Sequence, residues 1–68
     1  MLAIERRNAI LSVLREDKHV VVSELAKAFE VSEETVRRDL DKLEKEGLVV
    51  KTYGGAVISE NNSVELPY

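Results

Sequence analysis

Apolar residues recur along this chain at helical spacing in three stretches, with short β-branched runs between and after them. In residues 3–16, Ile10, Val13 and Leu14 fall on one face of a helix, and Ala3 lies further back on the same stripe. Arg6, Arg7 and Arg15 lie elsewhere around that cylinder. Asp17-Lys18-His19 is a polar break, in which His19 is expected as a turn residue. Val20–Val22 is short, β-branched and apolar, which predicts a small strand. Ser23 then has the chemistry of an N-cap, because its hydroxyl can accept from a free N–H of the next turn. A short helix, 24–29, is expected to follow, with Leu25, Ala28 and Phe29 facing inward. Glu30-Val31 is a turn. Glu30 occupies a position where glycine is often favoured for positive φ.

Ser32 is the second N-cap. Val31 and Val36 flank it at the positions of a hydrophobic staple. Glu33 and Glu34 sit in the first turn, where negative charge suits the helix dipole. The helix is predicted over 33–46, with its stripe at Val36, Leu40 and Leu43 and Gly47 as its left-handed stop. Residues 48–52 and 56–58 read as strands. Gly54-Gly55 between them signals a hairpin, since both glycines tolerate positive φ. From Ser59 the chain turns polar and aperiodic, so 59–68 reads as a linker. Helix, short strand, helix, tight turn, longer helix and hairpin describe a winged helix-turn-helix over 1–58. The class is α+β, mainly α: three helices with a small β-hairpin wing.

Composition narrows the chemistry. The chain has 68 residues, no cysteine and one histidine. That excludes thiolate metal sites and leaves no partner for a His-based metal cluster or catalytic triad. Three glycines are too few for a phosphate-cradling glycine loop. No apolar run approaches the length of a membrane span. A small cytoplasmic binding module without metal, cofactor or catalysis is expected. The formal net charge is −3, whereas nucleic-acid domains are usually basic. Whole-chain charge is a weak test, because a local patch is what meets phosphate.

Two helices joined by a tight turn bind DNA when the second can lie in the major groove. Ala26 is the small residue expected where the two helices touch. Leu25, Phe29, Val31 and Val36 fill the apolar places around the turn. On the 33–46 helix, Glu34, Arg38, Asp41 and Lys45 point away from the core. Thr35 and Lys42 flank one side of that face, and Arg37 the other. Thr35, Arg37 and Arg38 are the base-reading candidates: arginine bonds guanine O6 and N7 bidentately, and a threonine methyl can touch thymine. Ser23, Ser32, Lys42 and Lys51 are phosphate candidates. Tyr53 at the hairpin is expected to pack along the wing, with its hydroxyl able to reach phosphate. Gly54 shapes the turn.

Each of these has a plainer role. Arg37 and Asp41, four apart, can pair within the helix for a few tenths of a kcal/mol. Ser23 and Ser32 are caps first. Asp39 lies near the edge of the apolar stripe, where it is expected to hold an arginine of the first helix or a backbone donor.

The run Val31-Ser32-Glu33-Glu34-Thr35-Val36-Arg37-Arg38-Asp39-Leu40, then Leu43-Glu44, Gly47-Leu48 and Lys51-Thr52-Tyr53-Gly54-Gly55-Ala56-Val57, resembles the DeoR family of bacterial transcription regulators. Glu5-Arg6-Arg7 and Ile10-Leu11 fit as well. The resemblance spans roughly 3–58. It implies a winged helix that binds double-stranded operator DNA, usually as a repressor of carbohydrate-metabolism genes. It also implies a C-terminal effector domain that binds a phosphorylated sugar, absent here beyond the 59–68 linker, in a protein expected to be a homo-oligomer. Two features depart from the family. Tyr53 stands where a histidine is often found. Residues 32–51 hold five cations (Arg37, Arg38, Lys42, Lys45, Lys51) against six acids (Glu33, Glu34, Asp39, Asp41, Glu44, Glu46).

The rival reading is a winged-helix protein–protein docking module. Such a surface would show exposed aromatic or aliphatic residues on the outer face of the 33–46 helix. Arg, Lys, Thr and carboxylates stand there instead, which favours DNA.

Overall fold

The computed structural model describes residues 2–59. Helix α1 spans Ala3–Asp17. It opens with the Leu2 N–H donating to the Glu5 carboxylate at 3.0 Å. It closes at Lys18, whose backbone is left-handed at φ 73° and whose N–H donates to Leu14 O at 2.8 Å. Ile10 and Leu14 are fully buried and Val13 is half-buried, but Ala3 is exposed, so the inward stripe covers only the later turns.

Strand β1, His19–Val21, leads straight into helix α2, Val22–Phe29, with no loop between them. Two expectations change here. His19 belongs to the strand, because the break is made at Lys18. Ser23 is not an N-cap: Val21 holds that position and Ser23 lies inside the first turn. The serine cap is replaced by a tertiary bond, in which the Val22 N–H donates to Gly54 O at 2.8 Å. That bond serves one of the amides a helix start leaves open.

In α2, Val22, Leu25 and Ala26 are buried and Phe29 is half-buried, whereas Ala28 is exposed. Ala26 is buried in the core, and α2 packs on the next helix. Glu30 takes the left-handed conformation at φ 59°. The Val31 N–H reaches back to Ala26 O at 3.0 Å, the Schellman closure of a helix end.

Helix α3 spans Glu33–Lys45. Ser32 caps it, its Oγ accepting from the Thr35 N–H at 3.1 Å. Val36, Leu40 and Leu43 are buried, as the stripe requires. Gly47 at φ 79° turns the chain out of the helix. Strands β2, Val49–Thr52, and β3, Gly55–Ile58, then complete an antiparallel sheet of order β1-β3-β2.

The hairpin turn is Tyr53-Gly54, not Gly54-Gly55. Thr52 pairs with Gly55, and of the two turn residues only Gly54 has positive φ, at 82°. That is the demand of a type II turn. Gly55 matters for another reason: a Cβ there would lie 2.0 Å from Val20 O, because β1 passes directly beside it. The helices pack on one another and on the sheet around Ile10, Leu14, Val36, Leu40, Leu43 and Val49. Each of the large ones stabilises the fold by about 1.5–3 kcal/mol through burial. The 59–68 linker falls, beyond Ser59, outside the described residues.

Candidate nucleic-acid interface

The inner edge of α3 is pinned to α1 by charge. Asp39 is buried, its side chain 5% exposed. Arg6 bonds it through Nε and through Nη2, the latter at 3.3 Å, and Arg7 Nη1 lies 3.6 Å from Oδ1. The hydrogen bond to Asp39 raises the Arg6 pKa above the ordinary arginine value, against the opposing effect of burial. The expected arginine partner of Asp39 is therefore present twice over. The arrangement fixes the rotation of α3 about its own axis, and with it the set of side chains that faces outward.

The outer face is polar throughout. Arg37 Nη2 donates to Glu33 Oε1 at 3.1 Å, and Arg38 Nη2 donates to Glu34 Oε2 at 2.9 Å. The suggested Arg37–Asp41 pair does not form. Asp41 is taken by the Lys51 ammonium from β2, and the Lys51 backbone N–H donates to Glu44 Oε2 at 3.2 Å. The bond to Asp41 raises the Lys51 pKa, with smaller help from the charge of Glu44. Thr35 is half-buried, and its hydroxyl shares a 3.0 Å hydrogen bond with Ser32 Oγ. Lys42 is exposed further along the helix.

The candidate residues divide into groups. Arg37, Lys51, Tyr53 and Gly54 come together around one groove of about 410 Å³ between α3 and the wing, with Val22, Leu40, Thr52 and Gly55. Leu40 and Val22 give it an apolar floor, and Arg37 and Lys51 bring the cations. Thr35, Arg38 and Lys42 on α3, and Ser32 at its cap, lie outside that groove, and Ser23 is exposed at the start of α2. Tyr53 does not pack along the wing. It is fully exposed at the tip of the turn. The pattern of the chain did not point to Val22 and Thr52 as groove residues. The pairing of β1 with β3 and the Val22–Gly54 bond, contacts between distant segments, bring Val22 beside Thr52 at the wing.

Among the described residues no group of His, Cys, Asp and Glu is placed to hold a metal, and no helix is long and apolar enough to cross a membrane. A capped, solvent-facing helix, braced by a second helix and flanked by a hairpin, defines a winged helix-turn-helix module.

Comparison with known proteins agrees with that class. The family model for the DeoR-like helix-turn-helix domain matches residues 6–62. The chain is 41% identical over 68 residues to the uncharacterized HTH-type transcriptional regulator YulB of Bacillus subtilis (strain 168), covering all of this chain and 26% of that protein. It is 42% identical over 67 residues to a putative galactitol utilization operon repressor of Escherichia coli (strain K12), covering 96% of this chain and 60% of that protein. It is 34% identical over 68 residues to the glycerol-3-phosphate regulon repressor of the same strain, covering all of this chain and 27% of that protein. No solved structure matches it. The chain belongs to the DeoR-like helix-turn-helix domain family. It spans between about a quarter and three fifths of the length of these relatives.

Proposed function

We propose that this chain is the sequence-specific, double-stranded-DNA-binding domain of a bacterial transcriptional repressor that controls carbohydrate-metabolism genes. The observation that carries the proposal is the outer face of α3. It is a capped helix whose exposed residues are arginine, lysine and carboxylates, held at a fixed rotation by the buried Asp39. An apolar docking face is missing from that surface among the described residues. Family membership and the names of the relatives, a putative galactitol utilization operon repressor and a glycerol-3-phosphate regulon repressor, support the regulatory role.

The N-terminal half of α3 enters the major groove, where such helices meet base edges. Thr35, Arg37 and Arg38 read bases. Ser23, Ser32, Lys42 and Lys51 hold phosphates, and the wing with Tyr53 and Gly54 lies beside the minor groove. The groove between Arg37 and Lys51 suits a single sugar-phosphate strand, with cations at its rim and an apolar floor for the sugars. The domain spans 1–58, and residues 59–68 lead toward an effector domain that binds a phosphorylated sugar in a homo-oligomeric, cytoplasmic protein. The chain itself performs no catalysis and needs no cofactor.

An NMR titration with a duplex from upstream of its own gene, at two salt concentrations, tests this. Shifts are expected at residues 32–42 and 51–55 and should weaken steeply with salt. Arg38→Ala should weaken binding by about 1–3 kcal/mol if it reads a guanine. Shifts confined to α1, or none at low salt, would point instead to a protein-docking module.

A further inference from the structure

Each guanidinium on the outer face of α3 already has a carboxylate on it. Glu33 accepts from Arg37 and Glu34 from Arg38, each through one Nη2 donor, at 3.1 and 2.9 Å. Lys51, which shares the groove rim with Arg37, is likewise engaged by Asp41 and lies beside Glu44. We propose that Glu33 and Glu34 are specificity-determining residues, which suppress binding to DNA of arbitrary sequence by competing with phosphate for Arg37 and Arg38. The proposal rests on the DNA-binding reading above and goes beyond it.

The argument is one of differential repulsion. A phosphate approaching either arginine carries a full negative charge to within a few ångströms of the carboxylate already seated there. It must displace that carboxylate or sit beside it, and both are unfavourable. A guanine edge offers two neutral acceptors, O6 and N7, and engages two donors of a guanidinium at once. Each pair commits one Nη2 donor of an arginine that has five N–H groups. The glutamate therefore penalises the sequence-independent contact more than the sequence-dependent one. Binding to arbitrary DNA is almost wholly electrostatic, so it bears most of the penalty. The local excess of acids, six against five cations over residues 32–51, has a use on this account and does not contradict DNA binding. Both glutamates also favour the positive end of the helix dipole, so the test has to separate charge on the arginines from charge in general.

The test compares the 68-residue chain with Glu33→Gln/Glu34→Gln, which keeps side-chain shape and removes the two charges. Glu16→Gln/Asp17→Asn removes two charges from the end of α1, where neither arginine pair lies. The probe is a 20-bp duplex of mixed sequence, titrated over a range of salt, followed by selection from a randomised duplex pool. The glutamine pair is expected to raise affinity for the mixed duplex about tenfold. Its log K against log salt slope should steepen by up to about 2, at roughly 0.9 per phosphate engaged. It should enrich sequences from the pool less sharply than the parent, and the α1 control should change affinity less than threefold. Equal gains in both variants, or no gain in the glutamine pair, overturn the proposal while leaving the DNA-binding reading intact. If neither parent nor glutamine pair binds duplex at low salt, that reading falls and this proposal with it.

Discussion

The inner side of α3 holds one carboxylate, Asp39, 5% exposed between two arginines of α1. The outer side holds Glu33 with Arg37 and Glu34 with Arg38, and all four side chains are between about half and three quarters exposed. The chemistry of the pairs is the same and the surroundings are opposite. Inside, the ions have little water to fall back on, so each depends largely on the other for its solvation. Outside, water and salt replace either partner at little cost to the stability of the fold, since exposed pairs at four-residue spacing contribute only a few tenths of a kcal/mol to it. The same helix therefore carries one set of charges that fixes where it sits and another that is available to exchange partners. A recognition helix needs both.

Removing Asp39 should show the largest effect. Asp39→Ala leaves Arg6 and Arg7, only 12% and 20% exposed, without their carboxylate. We expect it to destabilise the domain by about 3 kcal/mol or more. Small domains of this size have only about 3–5 kcal/mol to lose, so the variant should be largely unfolded near 37 °C. Urea denaturation followed by circular dichroism measures this. A loss below about 1 kcal/mol would mean that the buried and exposed pairs are energetically alike, and the contrast between the two sides would collapse.

The two serines sharpen the comparison at the level of caps. Ser32 accepts from the Thr35 N–H at the start of α3 and shares a hydrogen bond with the Thr35 hydroxyl, whereas Ser23 is exposed with no cap bond. Ser32→Ala should cost about 1 kcal/mol, and Ser23→Ala should stay within about 0.5 kcal/mol. Thermal unfolding of the two variants side by side decides it. Equal losses would restore Ser23 as a cap in solution.

That pair of serines also shows what was legible in the chain. The start, the stop and the buried face of α3 were legible locally: Ser32 caps it, Gly47 turns the chain out of it, and the spacing of Val36, Leu40 and Leu43 marks the side that packs inward. Glu30 and the arginine partner of Asp39 were legible too, because a helix-turn-helix turn and a carboxylate at the edge of an apolar stripe each leave few alternatives. Three of the misreadings share one cause. Ser23, Gly55 and Arg37 are decided by contacts between distant segments. The amide that Ser23 was expected to serve is not left to a side chain: Val22 N–H goes to Gly54 O. Gly55 is required by the passing backbone of Val20. Arg37 turns to Glu33 while Lys51, arriving from the sheet, holds Asp41. Spacing along one helix cannot reveal a competitor that comes from another element. The groove between α3 and the wing was hidden for the same reason.

The smallest expected effect concerns pH. Lys51 is exposed, and its bond to Asp41 raises its pKa above the ordinary lysine value. A cation whose pKa is raised by folding stabilises the native state below its unfolded pKa, and that contribution is lost as pH climbs through the folded value. The stability difference between the parent and Lys51→Met should therefore be present at about pH 8 and fade at alkaline pH, above the ordinary lysine pKa of about 10.4. It should also shrink in high salt, as surface pairs do. Arg6 has the same sign of shift, but its pKa lies above the ordinary arginine value. Over that alkaline interval the Arg6–Asp39 contribution should stay constant. Denaturant midpoints of parent, Lys51→Met and Asp39→Ala at both pH values give the comparison directly. If the Asp39 effect fades with pH as the Lys51 effect does, lysine titration at the surface is unfastening the inner side of α3 as well, and the two sides are coupled and not independent.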